Sequence, residues 1–106
     1  MTEVQKKKRK FRESKKWKLK KLSEKTRADN KDEITLRPLR RGWQLHHMNL
    51  NEKDYEDMKQ PFLCCNILTH KFIHWLYVYY RTDEEIIDRI KKALEKMKEE
   101  NKNYIG

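Results

Sequence analysis

The longest apolar segment of the chain lies between residues 62 and 80 and reads FLCCNILTHKFIHWLYVYY. It is too long for one strand, and its large apolar residues recur at helical spacing, which predicts a buried helix over about residues 66–80. A last helix is predicted over about residues 83–101. Thr82 and Glu85 form a capping box in front of it, and apolar residues follow at helical spacing.

Apolar and polar positions alternate with the two-residue period of strands in the preceding segment, DEITLRPLRRGWQLHHM. The alternation continues on both sides of PLRRG, whose proline and glycine are typical of a turn, so we predict a β-hairpin over about residues 33–48. Its strand positions are Ile34, Leu36, Trp43, Leu45 and His47. Residues 49–61 are polar without sustained periodicity, which predicts a long loop with room for one helical turn.

Lysine and arginine dominate the N-terminal part of the chain. Residues 1–13 include five consecutive basic residues and are expected to form a disordered arm, because like charges repel. Ser14 is expected to cap a short basic helix that ends near Lys25. The sequence therefore predicts an α+β protein with a basic arm and one domain over residues 14–106.

The charge is distributed unevenly. The chain contains 27 basic and 17 acidic residues, for a net charge of +10. Residues 1–41 hold 17 basic and 6 acidic residues, a net charge of +11, and residues 42–106 carry −1. This distribution predicts that the N-terminal part binds an acidic partner. The alternative is that it is only a solubilising tail. The role of the near-neutral residues 42–106 has to be inferred from features other than charge.

Several classes of protein are excluded. No apolar run approaches the roughly 20 residues that cross a bilayer, and no apolar core of a signal peptide follows the basic N-terminus. Cys64 and Cys65 are adjacent, which excludes a disulfide framework and a paired CxxC zinc site. Two glycines and two prolines argue against glycine-rich phosphate-binding loops. We expect a cytoplasmic protein that makes no membrane contact.

All four histidines lie between residues 46 and 74. His70 and His74 are four residues apart on the predicted helix, so both imidazoles project to the same side. A third ligand from the strand pair His46 and His47 would complete a site with three protein ligands. Such a site leaves coordination open for water or substrate, as catalytic metal sites do. The other strand histidine would point to the opposite face and could act as a base.

The segments ITLRPL, HHMNLN and THKFIH resemble the HNH endonuclease family, and in particular its small phage-encoded members, over roughly residues 14–80. The resemblance implies a ββα-metal unit over about residues 33–80, in which a hairpin, a long loop and a helix surround one divalent ion. It also implies that His46, His70 and His74 bind the metal and that His47 is the general base. The substrate would be DNA, in the host cytoplasm if the protein is phage-encoded.

The resemblance implies that the basic residues of the N-terminal part bind DNA. We expect them to contact the backbone of duplex DNA, with weak sequence specificity because no base-reading pattern is present. The expected contacts are Lys6, Lys7, Lys8, Arg9, Lys10, Arg12, Lys15, Lys16, Arg40 and Arg41.

Three imidazoles without a carboxylate ligand favour Zn²⁺, Ni²⁺ or Mn²⁺, although Mg²⁺ stays a candidate for the working ion. One position departs from the family pattern, since Pro61 stands where the family has its middle asparagine. Asn66 is a candidate to brace the loop that carries the base, and helix capping is its alternative role. Pro61 supports a rival interpretation, a non-catalytic metal-stabilised nucleic-acid-binding module of the same ancestry.

The aromatic residues of the long apolar run are expected to be core rather than a platform for stacking bases. They are Phe72, Trp75, Tyr77, Tyr79 and Tyr80. A third interpretation is a protein-interaction or inhibitor role, with a partner protein or a second copy bound through the C-terminal helix. No motif points to it specifically.

Overall fold

The computed structural model describes residues 2–105 and the side chains of residues 2–101, and it has an α+β fold. The elements, in chain order, are α1 (Glu3–Arg12), α2 (Lys15–Arg27), β1 (Gln44–His47), β2 (Phe62–Cys65), α3 (Ile67–Tyr79) and α4 (Glu84–Ile105). A short 3₁₀ helix, Glu52–Asp54, lies between the strands, as the predicted helical turn of that loop. None of the helices within residues 2–105 combines the length and apolar character needed to cross a bilayer.

The two strands pair antiparallel, but the hairpin predicted over residues 33–48 is wrong. β1 pairs with β2, so that His46 lies opposite Leu63, and residues 48–61 connect them. The predicted first strand is instead a tight turn around Asp32, whose carboxylate accepts hydrogen bonds from the backbone N–H groups of two of the next three residues. Leu36, at φ +60°, ends any extended run there.

The apolar pattern of residues 62–80 did not reveal the strand β2, because both faces of this strand are buried. Leu63 and Cys65 pack in one core cluster with residues of α3 and α4. Phe62 and Cys64 pack in a second cluster with Trp17 of α2. A strand covered on both faces has no polar alternation, so its pattern resembles that of a buried helix. The hairpin is therefore the middle layer of the fold, with helices on both sides.

Gly42 sets how closely α3 approaches the start of β1. Its φ is +87°, in the left-handed region that favours glycine. A Cβ atom built on it would lie 2.6 Å from Cδ1 of Ile67, the first residue of α3. The turn before β1 therefore brings the strand against the beginning of the helix.

The expected disordered arm at residues 1–13 is also wrong, because residues 3–12 form α1. Thr2 and Gln5 build a capping box, with Gln5 N–H donating to the threonine hydroxyl and Thr2 N–H donating to the glutamine side chain. The Phe11 ring packs 5.3 Å from that of Trp17, which attaches α1 to α2. The predicted cap of α2 is confirmed, since Ser14 accepts from Trp17 N–H.

The predicted helix over residues 66–80 is confirmed as α3, and the last helix as α4. The cap of α4 differs from the expected Thr82–Glu85 box: the Asp83 carboxylate accepts from Ile86 N–H. Asp83 stands directly before Glu84, the first residue of α4, so it occupies the N-cap position and satisfies an exposed N–H of the first turn. α4 then packs Leu94 into the cluster around Ile73 and Tyr77 of α3.

A buried carboxylate joins three elements. Glu33 accepts hydrogen bonds from Cys64 N–H at 2.9 Å and from the guanidinium of Arg27, and its side chain is 1% exposed. Its backbone carbonyl accepts from the side-chain amide of Asn101. α2, β2 and α4 thus meet at one residue that sequence patterns did not single out.

Candidate metal centre and cleft

Three histidines from the hairpin and α3 converge on one point. His46 projects from β1 toward α3, while His70 and His74 stand one turn apart on that helix. One ring nitrogen from each lies within 4.8 Å of the others. The Nε2 atoms of His70 and His74 are 3.0 Å apart. The structure thus brings together the three histidines that were expected to bind metal.

The separation of the two helix histidines fits a divalent ion. Two nitrogens bonded to one ion at about 2.1 Å lie roughly 3.0–3.4 Å apart at octahedral or tetrahedral angles, which matches the His70–His74 separation. His46 is completely buried, and both of its ring nitrogens lack a hydrogen-bond partner. Buried polar atoms without partners are costly, and a bound cation would satisfy one of them.

Burial keeps these imidazoles neutral. It lowers the pKa of His46 to about 3, with smaller contributions from His70 and His74. It lowers the pKa of His70 to about 4, and it also lowers that of His74. A histidine must be neutral to bind a metal, so all three are ready to do so at neutral pH.

His47 lies on the opposite face of the hairpin, as strand alternation requires. Its ring is stacked between Tyr55 at 4.4 Å and Trp17 at 5.5 Å, and it meets the edge of Phe62. Its Nε2 lies 3.1 Å from the backbone carbonyl of Tyr55. Burial, opposed by this hydrogen bond, lowers its pKa to about 4.

The Tyr55 carbonyl determines which nitrogen of His47 can accept a proton. A carbonyl oxygen only accepts hydrogen bonds, so this contact requires the hydrogen on Nε2. Nδ1 of the neutral ring then carries the lone pair. The chain thus holds one oriented neutral imidazole in addition to three histidines that could share an ion.

Both groups open into a cleft of about 740 Å³. All four histidines line it, together with aromatic residues and a set of cations. The aromatic residues are Trp17, Trp43 and Tyr55, and the cations are Lys8, Arg12, Lys18 and Lys21. A concave site with three clustered histidines, a fourth neutral imidazole and four cations is suited to an anionic ligand.

The ten basic residues predicted to bind DNA divide into two groups. Lys8 and Arg12 reach the cleft, where Lys8 pairs with Glu52 and Arg12 donates to the Tyr55 hydroxyl. The other eight are exposed and lie outside its lining: Lys6, Lys7, Arg9, Lys10, Lys15, Lys16, Arg40 and Arg41.

Two further cleft cations, Lys18 and Lys21, were not among the ten named contacts, although they belong to the same basic run and face the same side of α2. Lys21 donates to the Trp43 carbonyl and lies 4.3 Å from the centre of its ring. Burial lowers the pKa of Lys21.

Asn66 braces a loop and does not cap α3. Its side chain accepts from Arg40 N–H at 2.7 Å, donates to the Pro38 carbonyl and makes no capping hydrogen bond. It thus fixes the segment that leads into β1. Pro61 precedes β2, and its carbonyl accepts from Met48 N–H. Cys64 is buried, which raises its thiol pKa to about 12 and makes it a poor metal ligand.

No family model, curated protein or solved structure matches this chain. The assignment of a function therefore depends on the chemistry of the cleft. That chemistry combines a candidate ion site, an oriented neutral imidazole and positive charge.

Proposed function

We propose that the protein is a metal-dependent DNA endonuclease of the HNH type, built around a ββα-metal unit formed by β1, β2 and α3. One observation carries the proposal: two consecutive residues of β1 contribute one to the candidate ion site and one to the candidate base. His46 faces His70 and His74 on one side of the hairpin, and His47 is oriented by a carbonyl on the other.

The residues supply the parts of phosphodiester hydrolysis. Nδ1 of His47 takes a proton from water as the water oxygen forms a bond to phosphorus. The P–O3′ bond breaks, and the 3′ oxygen leaves with its electron pair and gains a proton from solvent. The products are a 5′-phosphate and a 3′-hydroxyl. A divalent ion bound by the three histidines supplies stabilisation of negative charge at the phosphate.

The cleft cations support DNA as the substrate. Lys8 and Arg12 from α1 and Lys18 and Lys21 from α2 line the same cleft as the four histidines. Phosphate contacts of this kind give affinity without reading sequence, which agrees with weak sequence specificity. α1 is thus a fixed wall of the cleft.

A second candidate is a non-catalytic nucleic-acid-binding module that keeps the ion for stability. Two observations favour it: Pro61 at the place of the family's middle asparagine, and the enclosure of His47 between Trp17 and Tyr55. Such a module would bind the ion and DNA but would not cleave DNA.

Cleavage of supercoiled plasmid separates the two candidates. Wild type, His47→Ala and His74→Ala are each incubated with Mg²⁺, Mn²⁺, Ni²⁺, Zn²⁺ or EDTA. We expect wild type to cleave with at least one ion and not with EDTA. His47→Ala should lower the rate about 10²–10⁴-fold, the range for loss of a general base, with ion affinity unchanged.

The ion-binding variant gives the complementary result. His74→Ala should weaken ion binding measured by calorimetry and lower cleavage at limiting ion concentration, with partial recovery when ion is added. DNA binding by wild type without cleavage in any of the four ions would refute the nuclease and support the binding module. Unchanged cleavage by His47→Ala would refute its role as base.

A further inference from the structure

α3 is apolar on nearly every side, and only one of those sides is buried. Ile73 and Tyr77 face the core, whereas Leu68, Phe72, Trp75 and Tyr79 are 78%, 64%, 70% and 68% exposed. A helix that is apolar all round is normally covered all round. The expectation that the aromatic run is core thus holds for Tyr77 and is wrong for Phe72, Trp75 and Tyr79.

The exposed residues form one continuous stripe. Leu68, Phe72, Trp75 and Tyr79 are separated by four, three and four residues, which is the spacing of a helix-pairing seam. Trp75 and Tyr79 already stack on each other, with ring centres 6.3 Å apart. Lys71 is the one lysine or arginine within Ile67–Tyr79, and it lies beside the stripe.

The order of residues in the stripe is self-complementary. If two copies of α3 pack antiparallel about a twofold axis between residues 73 and 74, Leu68 of one copy lies opposite Tyr79 of the other. Phe72 likewise lies opposite Trp75. A twofold interface requires this reciprocity, in which residue i meets j and j meets i. No like charges meet along the seam.

The area is sufficient for a pair. A buried aromatic side chain contributes about 150–250 Å². Three aromatics and one leucine at these exposures give roughly 500 Å² per copy, or roughly 1,000 Å² in total, which reaches the lower bound of a specific interface. From these observations we propose that the protein forms a homodimer through the exposed stripe of α3, packed antiparallel. This proposal does not depend on the proposed function.

The stripe faces away from the cleft. At 100° per residue, its centre lies more than a quarter turn from His70 and His74. Pairing therefore leaves both clefts open, and the dimer presents two copies of the histidine centre. The C-terminal helix, which the third interpretation offered as a surface for a partner or a second copy, buries Leu94 against α3 within the same chain.

Sedimentation velocity of the full chain tests the proposal. Samples from about 1 to about 100 μM, in EDTA so that no shared ion links two copies, should shift from monomer to dimer as concentration rises. Trp75→Glu should weaken dimerisation at least tenfold. Leu22→Glu is the matched control, since Leu22 is 60% exposed on α2, and it should leave the equilibrium unchanged.

Disulfide formation tests the antiparallel geometry. Mixed Leu68→Cys and Tyr79→Cys chains should form the mixed disulfide, identified by mass. Leu68→Cys alone should form little, because its two copies would be about 16 Å apart along the helix axis, beyond disulfide reach. The native Cys64 and Cys65 are fully buried.

Three results would overturn the proposal. The first is a monomer at every concentration. The second is a monomer that binds vesicles of phosphatidylcholine and phosphatidylglycerol through Trp75, which would assign the stripe to a lipid surface. The third is efficient self-linking by Leu68→Cys alone, which would indicate parallel pairing. Plasmid cleavage by the monomeric Trp75→Glu variant is measured separately, so loss of the dimer and loss of the nuclease are distinguishable.

Discussion

His46 and His47 are neighbours in the chain, yet the fold gives them different surroundings. His46 has no exposed surface and no hydrogen-bond partner for either ring nitrogen. His47 has a carbonyl partner and two stacked rings. The difference arises because successive side chains of a strand point to opposite faces, and here each face is covered by different helices.

Acid should destabilise the ion-free protein. The pKa of His46 is about 3 and those of His47 and His70 are about 4 in the fold, against about 6.5 in an unfolded chain. Between these values the unfolded chain binds more protons. The contribution of these neutral histidines to the free energy of unfolding is therefore fully present well above pH 6.5 and is lost as pH decreases toward 4. For buried His46 alone we expect a loss of about 2 kcal/mol at pH 5.

Thermal melts in EDTA from pH 7.5 to 4.5 measure this loss. The matched variant is His46→Gln, which removes one of the titrating groups and should give a shallower decline, whatever its stability at pH 7.5. A melting temperature that stays constant down to pH 5 in wild type would contradict the expected shifts.

At the scale of elements, α1 is the part whose role changed most from expectation. Its capping box and the packing of Phe11 on Trp17 make it a helix, and Lys8 and Arg12 point from it into the cleft. Because Lys8 also pairs with Glu52, α1 is attached to the β1–β2 connection as well as to α2. Its charge is therefore presented at fixed positions.

The positions of the α1 charges should matter more than their number. Lys8→Ala combined with Arg12→Ala should weaken DNA binding and reduce the slope of log K against log salt by roughly 0.9 per lost phosphate contact. Lys6→Ala combined with Lys10→Ala removes the same charge outside the cleft and should change the slope less. Fluorescence anisotropy across a salt series measures both, and equal slopes for the two variants would contradict the role of the cleft cations.

Sequence reasoning located the histidine centre better than the strands that build it. The His70–His74 spacing and the Ser14 cap are local signals, and both elements formed where they were expected. The pairing of β1 with β2 depends on burial of both faces of β2, which gives no alternating pattern to detect. The sequence does not identify Glu33 as a core residue, because charged residues are seldom buried without a partner. Its partner Arg27 can be identified only from the fold.

At the scale of the whole molecule, the three layers are joined by polar contacts as well as by two apolar clusters. Glu33 connects α2, β2 and α4 through Arg27, Cys64 and Asn101. Lys98 of α4 also donates to the Phe62 carbonyl of β2 at 2.5 Å. The layer that carries His46 is thus held from both sides.

Glu33→Ala should destabilise the whole fold, because it leaves the buried Cys64 N–H without an acceptor and Arg27 without its main partner. We expect a loss of about 2–4 kcal/mol in the free energy of unfolding, measured with urea. Glu33→Gln keeps an acceptor oxygen for Cys64 and should lose less. Equal losses for the two variants would show that the charge of Glu33, and not its hydrogen bond to β2, stabilises the layers.

The pairing of β1 with β2 also constrains which insertions and deletions the protein tolerates. An extra residue between Gly42 and His46 that slipped β1 by one position would turn His46 toward Trp17 and His47 toward α3, exchanging their surroundings. Lengthening the connection at Glu56 and Asp57, which are both exposed, leaves the register of the strands intact. Homologous or engineered chains should therefore vary in the length of the connection and keep the strand free of insertions.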